Sequence, residues 1–198
     1  MKARLPILIG CFVLAVAVFG AVAFTQLRQA PSPTVAAVDI GGPFQLVDTV
    51  GRPVTEKTLI GKPTAVFFGF TYCPEVCPTT LTELSAALNA LGRDADKLNV
   101  VLVSVDPERD TPEQMKLYLS NFDSRIQGFT GTPEAVAQAA KAYRVYYRKV
   151  PMDGGEYTVD HSSAVYLFDR KGRFVEPIAH GAPHERVVAQ LKKLVNQS

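Results

Sequence analysis

The chain has 198 residues, which is enough for one domain with a substantial hydrophobic core. Its 21 lysine and arginine residues nearly balance its 19 aspartate and glutamate residues, and the formal net charge is +2. Because no block of basic residues is present either, the sequence lacks the electrostatic signature of a nucleic-acid-binding protein, and that class is excluded.

The first element along the chain is an apolar segment over residues 5–24, which contains no charged residue. A helix of this length spans roughly 30 Å, the thickness of the hydrocarbon core of a bilayer. Lys2 and Arg4 precede the segment, so the positive-inside rule leaves the N-terminus in the cytoplasm and exports the rest. We therefore expect a transmembrane anchor over residues 1–25, a linker over residues 26–38 and a globular domain over residues 39–198.

Two alternatives for the apolar segment stay open. The triplet Ala21-Val22-Ala23 is typical of a signal-peptidase site, and cleavage there would release a soluble protein. Residues 8–11 resemble the cleavage box of a lipoprotein, which ends at Cys11. Too little apolar sequence precedes Cys11 and too much follows it, so this pattern favours a cysteine that faces the membrane.

The globular part is predicted to alternate between strands and helices. In chain order we expect a hairpin over residues 44–55, a buried strand over 64–70, a helix over 79–91, a buried strand over 99–105, helices over 111–122 and 132–143, an inserted strand pair over 143–150 and 156–159, a hairpin with strands at 163–169 and 173–178, and a helix over 183–196. Without the insertions, the order is strand, helix, strand, helix, strand, strand, helix. The pattern therefore predicts an α/β fold with a thioredoxin-like mixed sheet and helices on both of its faces.

Two cysteines, Cys73 and Cys77, lie in the connection between the first buried strand and the next helix. Pro78 suits the first turn of a helix, which places Cys77 near the N-cap and Cys73 in the loop before it. A thiol at a helix N-terminus has a lowered pKa and a larger thiolate fraction. Residues four apart on a helical turn share one face, with about 5–6 Å between their Cβ atoms, so this spacing suits a metal chelate as well as a disulfide.

His161 precedes the strand predicted over residues 163–169. In a thioredoxin-like arrangement the loop before that strand faces the cysteine motif, so Cys73, Cys77 and His161 are candidate ligands of one metal ion. Thiolates select Cu(I) and imidazole also suits Cu(II), so the set accommodates both states of copper. A structural zinc site would need a fourth protein ligand, and the sequence indicates none.

The sequence also suggests a position or role for four more polar residues. Asp160 is a candidate acceptor for the ring of His161, with a role in a turn as the alternative. Asp106 ends the buried strand over residues 99–105 and is expected either near the cysteine motif or in a simple strand-ending turn. His180 and His184 have no comparable partner in the sequence and are expected at the surface.

Three motifs together resemble those of the Sco/SenC family, over residues 39–196. They are Cys73-Pro74-Glu75-Val76-Cys77-Pro78, Val105-Asp106-Pro107-Glu108-Arg109-Asp110-Thr111-Pro112 and Asp160-His161-Ser162. The resemblance implies a membrane-tethered copper chaperone that assists assembly of the dinuclear copper centre of cytochrome c oxidase. It also implies that Cys73, Cys77 and His161 are the copper ligands, since they match the family's three ligand positions.

The same resemblance implies partners and a location. The expected partner is the copper-bearing subunit of cytochrome c oxidase, with periplasmic copper chaperones or thioredoxin-like reductants as further partners. A mitochondrial member would carry a targeting segment ahead of the membrane helix, and the four residues before Leu5 leave no room for one. We therefore expect a single-pass protein of a bacterial inner membrane with its globular domain in the periplasm.

Two other functions use the same cysteines. In a thiol-disulfide reductase, Cys73 would attack the disulfide of a partner and Cys77 would resolve the mixed disulfide. This function is kept as the alternative. A peroxide-handling protein of this fold would place its cysteine in a T-x-x-C pattern, and Thr71-Tyr72-Cys73 misses that pattern by one position.

Overall fold

The computed structural model describes Val16, residues 18–20 and residues 40–197. The chain divides into two compact units, Met1–Val38 and Asp39–Ser198. Apart from those four positions, the predicted anchor over residues 1–25 and the predicted linker over residues 26–38 lie outside the described residues. None of the helices in the described part of the chain is both long enough and apolar enough to cross a bilayer.

Residues 40–197 form nine strands and five α-helices. The strands are β1 (Gln45–Asp48), β2 (Pro53–Thr55), β3 (Thr64–Gly69), β4 (Asn99–Ser104), β5 (Ile126–Thr130), β6 (Tyr147–Pro151), β7 (Tyr157–His161), β8 (Val165–Phe168) and β9 (Phe174–Ile178). The helices are α1 (Glu56–Leu59), α2 (Val76–Leu91), α3 (Pro112–Leu119), α4 (Pro133–Ala142) and α5 (His184–Asn196), with 3₁₀ turns at Gly92–Lys97 and Asp153–Gly155.

Seven strands form one sheet in the order β2-β1-β5-β4-β3-β8-β9. The central strands β3, β4 and β5 run parallel, and the outer strands pair antiparallel with their neighbours. Every residue of β3 is buried and so are the last five of β4, as expected of apolar runs at the centre of a parallel sheet. This arrangement confirms the predicted mixed α/β class.

The sequence pattern does not predict β5, although it lies between β4 and β1 in the middle of the sheet. Its weak signal comes from Gly128, because glycine lowers the propensity of a strand. The packing is close at this glycine: a Cβ atom there would lie 2.6 Å from Cδ1 of Leu119 and 3.0 Å from Cε of Met115, so these side chains would have to shift. Helix α3 therefore packs directly on the backbone of β5.

Several element boundaries differ from the predictions. Helix α2 begins at Val76 rather than Thr79, so Cys77 lies inside its first turn. Helix α3 ends at Leu119, short of the predicted residue 122. Strand β7 extends to His161, which is thus the last residue of a strand rather than a loop residue.

The loops after β3 and β4 lie side by side because these two strands are parallel and in register. Gly69 pairs with Ser104 at their carboxyl ends, and the Val105 N–H donates to the Gly69 carbonyl at 2.9 Å. The loop after β3 carries the cysteine motif and the loop after β4 carries the acidic motif. This edge is where side chains from consecutive loops of an α/β sheet meet.

Candidate metal centre

Three side chains from separate parts of the chain converge at this edge of the sheet. Cys73 lies in the loop after β3, Cys77 in the first turn of α2 and His161 at the end of β7. Their candidate ligand atoms all lie within 4.8 Å of one another. The predicted grouping is therefore present, although His161 is 84 positions from Cys77 along the chain.

Cys77 forms the base of the site. Its side chain is 0% exposed, and its Sγ lies 3.5 Å from Nε2 of His161. The sulfur packs against the backbone of Gly69, where an added Cβ atom would lie only 2.9 Å from it. A residue with a side chain at position 69 would therefore displace the sulfur from its place beside the imidazole.

Cys73 is the more accessible of the two cysteines and is half-buried. Its Sγ accepts a hydrogen bond from the backbone N–H of Cys77 at 3.4 Å, which is one of the free N–H groups at the start of α2. Hydrogen bonds from the thiol of Cys77 and from backbone N–H groups, together with the nearby ring of His161, lower the pKa of Cys73 to about 4 against the opposing effect of burial. Cys73 is therefore the thiolate of the pair.

The pKa of Cys77 moves in the opposite direction. Its thiol donates to the neighbouring Cys73 sulfur, and burial further disfavours its charged form, so both effects raise the pKa of Cys77. The metal-free pair thus consists of one thiolate and one thiol. Metal binding by both sulfurs would release the proton of Cys77.

The lowered pKa of Cys73 predicts fast alkylation in mild acid. Because its ordinary pKa is 9.0, an unperturbed thiol would react slowly near pH 6, whereas Cys73 should react at a rate that falls only as the pH approaches about 4. The rate of iodoacetamide labelling across this pH range checks the expectation. In the Cys77→Ala variant, which removes the thiol that donates to Cys73, the pKa of Cys73 should rise. An ordinary thiol profile in both proteins would contradict the expectation.

His161 presents Nε2 to the two sulfurs. Its Nδ1 lies 2.9 Å from the carbonyl oxygen of Ser162, and a carbonyl only accepts, so Nδ1 carries the proton in the neutral ring. The lone pair of Nε2 is then free for a metal ion. The rings of Phe67 and Phe70 pack edge-on against the imidazole at centroid distances of 6.1 and 5.7 Å.

Asp160 does not orient His161, so that prediction is wrong. Its carboxylate is exposed and pairs with Arg148 on the opposite strand of the hairpin, at 3.4 Å. Successive residues of a strand point to opposite sides, so the residue before His161 necessarily points away from the sulfurs. The backbone carbonyl of Ser162 takes the role that the sequence suggested for Asp160.

Asp110 supports the cysteine loop, and the sequence reasoning did not single it out. The carboxylate is 0% exposed and accepts hydrogen bonds from the Thr71 N–H at 3.1 Å, the Thr71 hydroxyl at 2.7 Å and the Ser104 hydroxyl at 2.6 Å. Burial raises the pKa of Asp110 in spite of these donors. The sequence signal that would have identified Asp110 is a second aspartate, four residues after Asp106, in the loop that follows a buried strand.

Replacing Asp110 with alanine should destabilise the protein. The variant leaves the Thr71 N–H and two hydroxyl groups without their buried acceptor, at a cost of about 3 kcal/mol in the free energy of unfolding. Urea denaturation followed by circular dichroism measures the difference. The matched control is Asp94→Ala, which removes a surface carboxylate paired with Lys97 and should leave stability unchanged. Equal stability of all three proteins would show that Asp110 does not hold the loop.

Asp106 forms the strand-ending turn, which is one of the two expectations for it, in the loop beside the cysteine loop. It is 0% exposed, and its carbonyl accepts from the Arg109 N–H at 3.2 Å and the Asp110 N–H at 2.9 Å, which closes the turn. Its carboxylate pairs with Arg109 and accepts from the Tyr157 hydroxyl at 2.8 Å. Asp106 thus links the loop after β4 to the strand that carries His161.

The other two histidines lie apart from the metal centre. His180 is exposed, as predicted, with Nδ1 3.2 Å from the hydroxyl of Thr80. His184 is half-buried, and its Nδ1 lies 2.7 Å from a carboxylate oxygen of Glu83. Within the described residues, neither belongs to a group of three side chains that can hold a metal ion.

The donor set fits copper. It consists of two sulfurs and one imidazole nitrogen, and Cys73 and His161 line an open cavity of about 340 Å³ together with Val76 and Asp160. Thiolates are soft ligands that select Cu(I), and imidazole extends the set to Cu(II). No fourth histidine, cysteine or carboxylate joins the group in the part of the chain that the structure describes, so the set differs from the closed four-ligand sites of structural zinc.

Comparison with known proteins shows what this chain is similar to. A family model described as SCO1/SenC matches residues 32–196. Protein SCO1 homolog 1 of Arabidopsis thaliana mitochondria is 43% identical over 151 residues, which cover 76% of this chain and 45% of that protein. Protein SenC of Rhodobacter capsulatus is 39% identical over 152 residues, covering 77% of this chain and 69% of that protein.

A solved structure is more similar in sequence than these relatives. The copper-bound structure of Bradyrhizobium japonicum ScoI is 54% identical, covers 78% of this chain and 99% of that chain, and superposes with a TM-score of 0.74. This likeness confirms the predicted thioredoxin-like fold. The chain spans about half the length of the mitochondrial relatives that it matches.

Proposed function

Because the chain belongs to the SCO1/SenC family, we propose that it is a copper chaperone that binds one copper ion through Cys73, Cys77 and His161. The observation that supports this proposal most strongly is the convergence of two sulfur atoms and one imidazole nitrogen within 4.8 Å. The copper-bound relative with 54% identity supports the choice of metal. Copper is the cargo in this proposal, and it is taken up and released.

Ligand exchange is the step that the arrangement suits. Cys77 is buried at the base of the site, whereas Cys73 and His161 are half-buried beside the open cavity. An incoming ligand of a partner would therefore reach the copper ion on the side of Cys73 and His161 and displace them first. A set of three protein ligands also leaves coordination positions through which a fourth ligand can enter.

The proposed recipient is the copper-bearing subunit of cytochrome c oxidase, as family membership implies. The experiment mixes the copper-loaded full-length protein with the metal-free soluble domain of that subunit, separates the two and measures copper in each. We expect copper to move to the oxidase domain from the wild-type protein. Copper that stays on the loaded protein, or that distributes equally to an unrelated copper-free acceptor, would contradict the chaperone function.

The membrane tether belongs to the same proposal. Residues 1–25 would anchor the protein in a bacterial inner membrane and hold the domain in the periplasm, close to the oxidase subunit. Carbonate extraction of membranes and protease treatment of spheroplasts test this arrangement. Recovery of the protein in the membrane pellet with its domain accessible to protease is expected, and release into the soluble fraction would favour a cleaved signal peptide.

Thiol-disulfide reduction is the second candidate function. A half-buried thiolate at Cys73 with the buried Cys77 beside it is the arrangement of an attacking and a resolving thiol. Cys73 would attack the partner disulfide, and Cys77 would then attack the mixed disulfide; the two thiols are oxidised to one disulfide and the partner is reduced to two thiols. A Cys77→Ser variant offered the oxidised oxidase domain should accumulate the mixed disulfide, and its absence would eliminate this function.

A further inference from the structure

The hairpin that carries His161 is separate from the main sheet. Strands β6 and β7 pair only with each other, and in the described part of the chain no ladder of backbone hydrogen bonds joins them to the seven-stranded sheet. The cysteines, in contrast, are fixed by β3 and α2. The distance between the imidazole and the two sulfurs therefore depends on side-chain contacts that hold the hairpin in place.

One face of β7 makes several of these contacts, and Lys149 of β6 adds an ion pair with the loop after β4. Tyr157, Val159 and His161 alternate along the strand and so point to the same side. Val159 is only 4% exposed and packs in the hydrophobic core, and His161 lies beside Cys77. Tyr157, at the start of the strand, contacts the loop after β4 instead.

Arg109 is the residue that receives Tyr157. The Cζ atom of Arg109 lies 3.8 Å from the centroid of the Tyr157 ring, and its Nη1 donates to the Tyr157 carbonyl at 3.0 Å. The guanidinium also pairs with the buried carboxylate of Asp106, which accepts from the Tyr157 hydroxyl at 2.8 Å. One arginine thus contacts the ring, the backbone and the hydrogen-bond partner of the same tyrosine.

The same guanidinium contacts the cysteine loop. Its Cζ lies 4.7 Å from the ring centroid of Tyr72, the residue before Cys73, and 5.9 Å from that of Phe70. Nη2 of Arg109 is buried and has no hydrogen-bond partner among the described atoms. Aromatic rings on both sides explain how this N–H is tolerated, because ring faces attract cations and accept weak hydrogen bonds.

We propose that Arg109 is a positioning residue that clamps the His161 hairpin to the cysteine loop by stacking between Tyr157 and Tyr72. This proposal rests on the proposed function, because the distance between His161 and the cysteines matters for copper binding only if all three are ligands. Lysine would not replace Arg109, because the contacts use a flat group that stacks on rings while it donates at its edge. No other described side chain has its cationic group within 6 Å of rings from both segments.

The first test uses the metal-free full-length protein. In Arg109→Ala, the backbone amides of β6 and β7 should exchange with deuterium at least about tenfold faster than in the wild type, because the hairpin loses the contacts of the guanidinium with Tyr157 and Tyr72 that oppose its local opening. The amides of β4 in the core should be unaffected. Arg148→Ala is the matched control, since Arg148 lies on the same hairpin, is exposed and has Asp160 as its one ion-pair partner among the described residues. Equal exchange of the hairpin in Arg109→Ala and the wild type would overturn the proposal.

The second test asks whether the clamp reaches the metal. In Arg109→Ala, Cu(II) affinity should fall about 10–100-fold, as when other outer partners of metal ligands are removed, and the absorption spectrum should shift towards that of His161→Ala. Arg109→Lys should restore less than half of the lost Cu(II) affinity. If Arg109 acted only through its positive charge, lysine would restore the affinity in full. Tyr72→Leu removes an exposed ring from the same stack and provides a variant that tests the clamp if Arg109→Ala does not fold.

The outcomes separate the two proposals. Faster exchange in the hairpin together with a copper spectrum that is indifferent to His161 would refute the three-ligand copper site and leave the clamp standing. A copper site that requires His161, with exchange and affinity unchanged by Arg109→Ala and by Tyr72→Leu, would refute the clamp and leave the copper site standing.

Discussion

His161→Ala is expected to lower the affinity of the protein for Cu(II) by more than about 100-fold, since removal of even an outer partner of a metal ligand costs 10–100-fold. The imidazole is the only nitrogen donor in the described group of three, and its Nε2 lies 3.5 Å from Cys77 Sγ. Without it, two thiolates remain, which suit Cu(I) but do not stabilise Cu(II). Affinity for Cu(I) should therefore fall much less than affinity for Cu(II).

The control for this experiment is His180→Ala. His180 is exposed, its Nδ1 faces the hydroxyl of Thr80 and it does not belong to the described group of three, so both copper affinities should stay at the wild-type value. Competition with a chelator of known affinity, measured for each oxidation state under the appropriate atmosphere, gives the comparison. If His161→Ala and His180→Ala bind Cu(II) equally well, the imidazole of His161 is not a ligand.

Cys77→Ser is expected to have the second large effect, a loss of Cu(I) binding by several orders of magnitude, because a serine hydroxyl is neither soft nor ionised at neutral pH. The sulfur is fully buried against Gly69 and beside His161, so no other described sulfur is placed to substitute for it. The charge-transfer absorption of the Cu(II) form should weaken as well, since one of its two thiolates is gone. Anaerobic titration with a Cu(I) chelator measures the affinity.

Two comparisons guard this result against a simple loss of structure. Thr79→Ser makes a conservative change at an exposed position of the same helical turn and should leave the site intact. Circular dichroism of Cys77→Ser should match the wild type, because serine fills nearly the same volume as cysteine. Tight Cu(I) binding by a folded Cys77→Ser protein would exclude Cys77 from the ligand set.

The sequence predicted the convergence of side chains where spacing determines geometry. Cys73 lies in the loop directly before helix α2 and Cys77 lies in its first turn, only four positions later, so their convergence follows from local structure. The place of His161 depended on the fold, because its contact with Cys77 joins residues 84 positions apart. The contact was predicted because the order of strands indicated which connections meet at one edge of the sheet.

Tertiary contacts explain what the sequence did not predict. Strand β5 was not predicted because Gly128 lowers its strand propensity. The close packing of Leu119 on this glycine is a tertiary contact that the local sequence does not indicate. The side-chain partners around His161 follow from strand direction and register, so Asp160 was chosen by proximity in sequence and points the wrong way. The role of Arg109 depends on Tyr157, 48 residues away, and no spacing rule connects the two.

X-ray absorption spectroscopy of the protein loaded with one equivalent of copper tests the central claim most directly, because it identifies the atoms bound to the metal. The account predicts two sulfur neighbours and one imidazole nitrogen, with the imidazole signal lost in His161→Ala. A spectrum with only nitrogen and oxygen neighbours, or with an imidazole signal that persists in His161→Ala, would contradict a copper site built from Cys73, Cys77 and His161.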